Sequence, residues 1–110
     1  MIQIKNKVQL IGKIDNPRIS TTNSDMKVAE FHISISNSYY NNEGDKCLEI
    51  MKHLCKAYGK LAEIIERYCS KEMEIAIEGF LISSITTFNS KSFPTNCVQV
   101  NDLLILSKTT

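Results

Sequence analysis

The sequence predicts an all-β protein, a five-stranded Greek-key barrel with one short helix between strands three and four. Three observations carry the prediction. Apolar and polar residues alternate with a period of two along most of the chain, and only the stretch after Gly59 switches to a helical period. Glycines also interrupt two of the alternating runs, at Gly12 and Gly79, as small barrels need where a strand curls from one sheet layer to the next.

In the first run Val8, Leu10 and Ile14 share one face, while Lys7, Gln9 and Lys13 share the other. The second, VAEFHISIS, sends Ala29, Phe31, Ile33 and Ile35 one way and Glu30, His32, Ser34 and Ser36 the other. It ends in SNSYYNNEGDK, where Asn41, Asn42 and Gly44 mark a turn directly after Tyr39 and Tyr40. The third run covers residues 47 to 58. Its odd positions Met51, Cys55 and Ala57 suit an interior, whereas Lys52, Lys56 and Tyr58 fall on the opposite face with Leu48, Ile50 and Leu54. After Gly59, Leu61, Ile64, Ile65 and Tyr68 recur at i, i+3, i+4 and i+7, the buried stripe of an amphipathic helix. MEIAIEGFLISSI is the fourth strand, FNSKSFPTN a polar loop, and the fifth strand lies within CVQVNDLLILSK. This order is the layout of the OB-fold.

Composition sets limits on function. A chain of 110 residues suits a single domain, residues 1–110, burying about two-thirds of its unfolded surface. Thirteen basic and twelve acidic residues give a net charge of +1, so affinity for a polyanion must come from local charge. No apolar run is long enough to span a membrane and no signal peptide is visible, so a cytoplasmic protein is expected. Cys47, Cys55, Cys69 and Cys97 have no paired zinc-ligand spacing; free thiols, no metal and no cofactor are the expectation. His53 and Cys55 form at most half a metal site. No Ser/His/Asp or Cys/His set advertises catalysis, so an enzyme is not expected.

Four separated blocks, NKVQLIGKIDNPRI, VAEFHISIS, YGKLAEIIERYC and IEGFL, in this order and spacing, resemble the bacterial single-stranded DNA-binding proteins. The resemblance runs from about Asn6 to Leu106. It implies a protein that coats single strands with little regard to sequence, in DNA replication, recombination or repair, as a homotetramer. Rings would stack on bases and cations would meet phosphates, since every base offers a π-face and every nucleotide a charge.

Carried over by position, the resemblance places the stacking rings at Tyr39 and Tyr58. Adjacent strand residues face opposite sides, so only one of Tyr39 and Tyr40 shares the nucleic-acid surface, and Tyr39 is favoured. The chain has no tryptophan. Lys52 stands where the family often has one in strand three, and another such position falls near Thr86, with Phe88 the closest ring. Weaker stacking and a larger part for charge follow. Lys52, Lys56, Lys7 and Lys13 are the cation candidates, followed by Arg18; Phe80 and Phe93 are expected to pack. Ile2, Ile4 and His53 are expected at a subunit contact. The family's long tail with an acidic tip is missing after SKTT, so tail-mediated protein partners are not expected. Glu72 stands where a glycine is usual, which predicts a different turn there.

Two other readings stay open: a dimeric relative of the primosomal replication proteins, and an OB-fold protein-interaction module without strong DNA affinity, which the near-neutral charge favours.

Overall fold

The computed structural model describes residues 5–107. Strand β1 spans Val8–Thr21, β2 Lys27–Tyr40 and β3 Lys46–Tyr58; helix α1 spans Lys60–Tyr68, and β4 Glu74–Phe88 and β5 Lys91–Ser107 complete the chain. The strands close into a barrel in the order β1-β2-β3-β5-β4. All neighbours are antiparallel except β3 and β5, which close the barrel through a short parallel contact at Cys55 with Val98 and Lys56 with Gln99. This is the predicted OB-fold.

Closure depends on β1 serving two neighbours. Its first half, Val8 to Lys13, pairs with β4, and its second half, Lys13 to Thr21, pairs with β2. The handover falls at Gly12, where a Cβ would lie 2.5 Å from the Ser34 carbonyl oxygen. Gly79 is tighter still: a Cβ there would lie 1.9 Å from the Gln99 oxygen, beside the register shift between β4 and β5. Both glycines therefore mark bends, because no side chain fits where the backbones approach. A bulge follows in β1. Asp15 pairs with His32 and Arg18 with Glu30, leaving Asn16 and Pro17 opposite Phe31 alone.

The inward positions of every strand fill the barrel: Ile14, Ala29, Phe31, Ile33, Cys55, Ala57, Ile75, Ile77, Val98 and Val100 are buried. Helix α1 packs against this core with Ala62 and Ile65. The expected stripe is thus rotated: Leu61 and Ile64 are half-buried and Tyr68 is exposed. Ala62, Ile65 and Cys69 recur at i, i+3 and i+7, and the small Ala62 lets the helix approach the barrel closely. Burial pushes the Cys55 thiol up to about 12, with Cys97 adding to the shift.

The predicted loop FNSKSFPTN is instead a hairpin. β4 continues to Phe88, β5 starts at Lys91, and Phe88 pairs with Lys91 across Asn89 and Ser90. Both turn residues have positive φ, 51° and 63°, as a tight two-residue hairpin requires. Pro94 is tolerated because this arm has only two strands, so one side of each needs no hydrogen-bond partner. Glu72, at φ 78°, keeps the left-handed conformation a glycine would adopt, and its N–H donates to the Ile14 carbonyl at 2.9 Å.

Candidate nucleic-acid interface

The β2–β3 register runs unbroken from Val28 with Tyr58 to Tyr40 with Lys46. Cross-strand partners share a face and successive residues alternate faces, so this register fixes which side chains can act together. The outward face carries Tyr58, Lys56, Leu54, Lys52, Ile50 and Leu48 from β3, opposite Val28, Glu30, His32, Ser34, Ser36 and Ser38 from β2, and ends at Tyr40. Nearer the barrel the other face lines the core. Beyond Ile35 and Met51 the two strands leave the barrel as an arm, and both faces meet solvent.

Tyr39 pairs with Cys47 just before the turn, near the tip of the arm. Contrary to the expectation that favoured it, Tyr39 lies on the face opposite Tyr58; Tyr40 is the residue that shares Tyr58's face. No bulge interrupts these strands, and parity therefore carries through all thirteen pairs. Both rings are exposed, Tyr40 at 72% and Tyr39 at 45%, so the arm presents an aromatic ring on each side. The turn beyond them is held by Asn41, whose Oδ1 accepts from the N–H groups of Glu43 and Asp45, each at 2.9 Å.

Neighbouring strands extend the outward face. Lys13, Ser34 and Lys52 form one row across β1, β2 and β3; Arg18, Glu30 and Lys56 form another, which continues to Gln99 and Phe80. The register thus brings Lys13, Arg18, Lys52, Lys56, Tyr58 and Tyr40 onto one continuous surface. Lys7 lies apart from it, on the β1–β4 side. Phe88 is exposed at the end of the β4–β5 arm, and Phe93 shares its face, because Phe88 pairs with Lys91 and Thr86 with Phe93. Phe93 was expected to pack and is half exposed; the loop assignment hid the alternation of Lys91 and Phe93. Phe80, also expected to pack, is half-buried but stands in the outward row opposite Gln99.

The cations differ in what holds them. Lys7 reaches Glu78 at 3.2 Å, Lys13 reaches Glu72 at 4.0 Å, and Lys52 donates to Asp15 Oδ2 at 3.1 Å. Among the described residues no carboxylate lies within 4.0 Å of Arg18 or Lys56, although Glu30 stands between them in the row. Hydrogen bonds from Lys7 and Gln9, with the Lys7 charge, hold Glu78 below the ordinary carboxylate range. The Lys52 hydrogen bond, with the charges of Lys52 and Lys71, does the same for Asp15 against the opposing effect of desolvation.

His53 pairs with Ile33 at the mouth of the barrel and is half-buried. Ile2 and Ile4 lie outside the described residues. A separate apolar row, Ile11, Ala76 and Leu104, crosses the outside of β1, β4 and β5, with Leu106 nearby; Ile11, Leu104 and Leu106 are exposed. Among the described residues no helix is long and apolar enough to cross a membrane.

Comparison with known proteins places this geometry. The profile of the Single-strand binding protein family matches residues 5–101. The chain is 35% identical over 77 residues to Single-stranded DNA-binding protein 1 of Chlorobaculum tepidum, covering 69% of this chain and 48% of that protein. It is 28% identical over 74 residues to the Single-stranded DNA-binding protein of Staphylococcus epidermidis, covering 67% and 55%. The chain thus spans about half the length of these curated relatives. Its fold superposes on the Plasmodium falciparum SSB from a complex with ssDNA with a TM-score of 0.85 at 22% identity, covering 97% of this chain and 99% of that one. It superposes on a deletion mutant of the Thermus aquaticus single-stranded DNA-binding protein with a TM-score of 0.79 at 18% identity, covering 94% and 51%. The match over residues 5–101 and the four sequence blocks that lie along the strands and helix agree: the chain belongs to the single-strand binding protein family.

Proposed function

We propose that this protein binds single-stranded DNA with little regard to sequence, as a non-enzymatic cytoplasmic component of DNA replication, recombination or repair. One observation carries the reading: the unbroken β2–β3 register sets Tyr58, Lys56, Lys52 and Tyr40 along one outward face. A ring accepts any base by stacking and an ammonium meets any phosphate, so such a face needs no base-edge readout. Tyr58 and Tyr40 stack on this face, and Tyr39 stacks on the far side of the arm. Phe88 and Phe93 extend the path on the second arm. Lys56 and Arg18 supply the most available charge; Lys52, Lys13 and Lys7 act against their internal partners. The relatives named for single-stranded DNA binding and the superposed Plasmodium falciparum SSB, taken from a complex with ssDNA, support the assignment.

The protein assembles as a homo-oligomer, a tetramer in preference to a dimer. The exposed row of Ile11, Ala76 and Leu104 supports this, because three strands placing apolar residues outward have something to cover. Ile2, Ile4 and His53 belong to the same assembly. Light scattering that gives a dimer favours the primosomal-type reading.

Anisotropy of a labelled oligo-dT strand, against a duplex of the same length at low and high salt, tests the function. Tight binding that prefers the single strand and weakens with salt supports it. No binding at low salt leaves the protein-interaction reading, which the internal pairing of three lysines favours.

A further inference from the structure

We propose that Asp15 is a built-in competitor of phosphate for Lys52, setting how tightly the outward face holds a strand without touching the strand itself. The inference rests on that face being the strand surface.

The carboxylate is the fixed partner of the pair. Asp15 sits immediately before the Asn16–Pro17 bulge, and its side chain is 15% exposed, against 54% for Lys52. Lys52 stands opposite Ser34, yet its ammonium reaches across β2 to Asp15 on β1, closing to 3.1 Å. Lys71, from the segment between α1 and β4, approaches the other oxygen at 3.9 Å. That oxygen, Oδ1, is buried and accepts no hydrogen bond among the described residues. Two ammonium groups from separate elements therefore flank one carboxylate, and the Lys52 hydrogen bond with both charges shifts its pKa down.

This arrangement costs strand affinity in two ways. While Lys52 stays paired with Asp15 it neutralises no phosphate, so the strand keeps the counterion that this lysine would otherwise release. If Lys52 leaves, only Lys71, 3.9 Å from the other oxygen, still faces the carboxylate, which repels the incoming phosphate at short range, where screening is least effective. Lys56, with no such partner, bears neither cost.

The experiment compares oligo-dT binding by wild type, Asp15→Asn, Lys52→Ala and the double variant across salt concentrations. Glu63→Gln, an equal charge change on the exposed side of α1, is the control. Asp15→Asn steepens the salt slope by about 0.7, so a fourfold dilution of salt tightens it about 2.6-fold more than wild type. Glu63→Gln leaves the slope unchanged, and Lys52→Ala removes the gain. An unchanged slope in Asp15→Asn, or a gain that persists without Lys52, overturns the inference. If Asp15→Asn does not fold, Lys52→Ala alone decides: a slope loss equal to that of Lys56→Ala overturns it, and a much smaller loss supports it. Wild type that fails to prefer the single strand refutes the function itself, and this inference falls with it.

Discussion

Lys56→Ala and Lys7→Ala should separate available charge from tethered charge. Lys56 lies on β3 and Lys7 directly precedes β1, but Lys7 sits 3.2 Å from Glu78, whereas no carboxylate lies within 4.0 Å of Lys56 among the described residues. Each phosphate neutralised on a single strand contributes about 0.7 to the slope of log affinity against log salt. Were all five candidate cations available, they would contribute about 3.5, and a fourfold rise in salt would weaken binding about 130-fold through them. If only Lys56 and Arg18 act at full strength, the contribution is about 1.4 and the weakening about sevenfold. Lys56→Ala therefore lowers the slope by about 0.7, and Lys7→Ala by much less. Anisotropy titrations of oligo-dT across a salt series, normalised per protomer, read this directly. The slope is the decisive quantity, because Lys7→Ala also bares Glu78 and weakens binding by repulsion alone. Equal slope losses for the two variants would refute the reasoning.

Stacking gives a different signature: Tyr58→Ala and Tyr40→Ala should each weaken oligo-dT binding by about 1–3 kcal/mol at every salt concentration, with the slope unchanged. A loss that vanishes at high salt would point to charge instead. Phe31, fully buried under the β1 bulge, predicts a loss of about 3–5 kcal/mol for Phe31→Ala in urea unfolding. Gly79→Ala should leave little folded protein by circular dichroism, since its Cβ would overlap the Gln99 carbonyl. The pH dependence follows from Glu78 and Asp15, both depressed in the folded chain. Their contribution is present above the unfolded values of 4.5 and 3.8 and is lost as pH falls through the lower folded ones. Glu78→Gln should therefore flatten the fall in thermal midpoint over that acid range, and an unchanged profile counts against the Lys7 pair.

The barrel was legible because its signals are local. Alternation in VAEFHISIS named the buried face of β2 correctly, down to Phe31 and Ile33, and Gly12 and Gly79 stand where their interruption predicted bends. What failed had competing local signals. Pro94 and the polar residues of FNSKSFPTN read as a loop, although a two-stranded arm tolerates both. The helix stripe was read by hydrophobicity, which favours Leu61 and Tyr68, whereas close packing on a barrel favours the small Ala62.

The site was only half legible, and the missing half is pairwise. Which residues share a face follows from parity once the register is known, yet the sequence does not contain the register. Tyr39 and Tyr40 look interchangeable until Tyr58 is seen opposite Val28 and the count runs unbroken to Lys46. Charge behaves the same way. A net +1 hides the fact that Lys7, Lys13 and Lys52 find their acids far along the chain, at Glu78, Glu72 and Asp15. Folding therefore converts a nearly neutral composition into a face where Arg18 and Lys56 keep charge to offer. A protein arranged this way should depend more on its rings than on its lysine count. Its strand affinity should then respond more to removing a carboxylate such as Asp15 than to adding another lysine beside one.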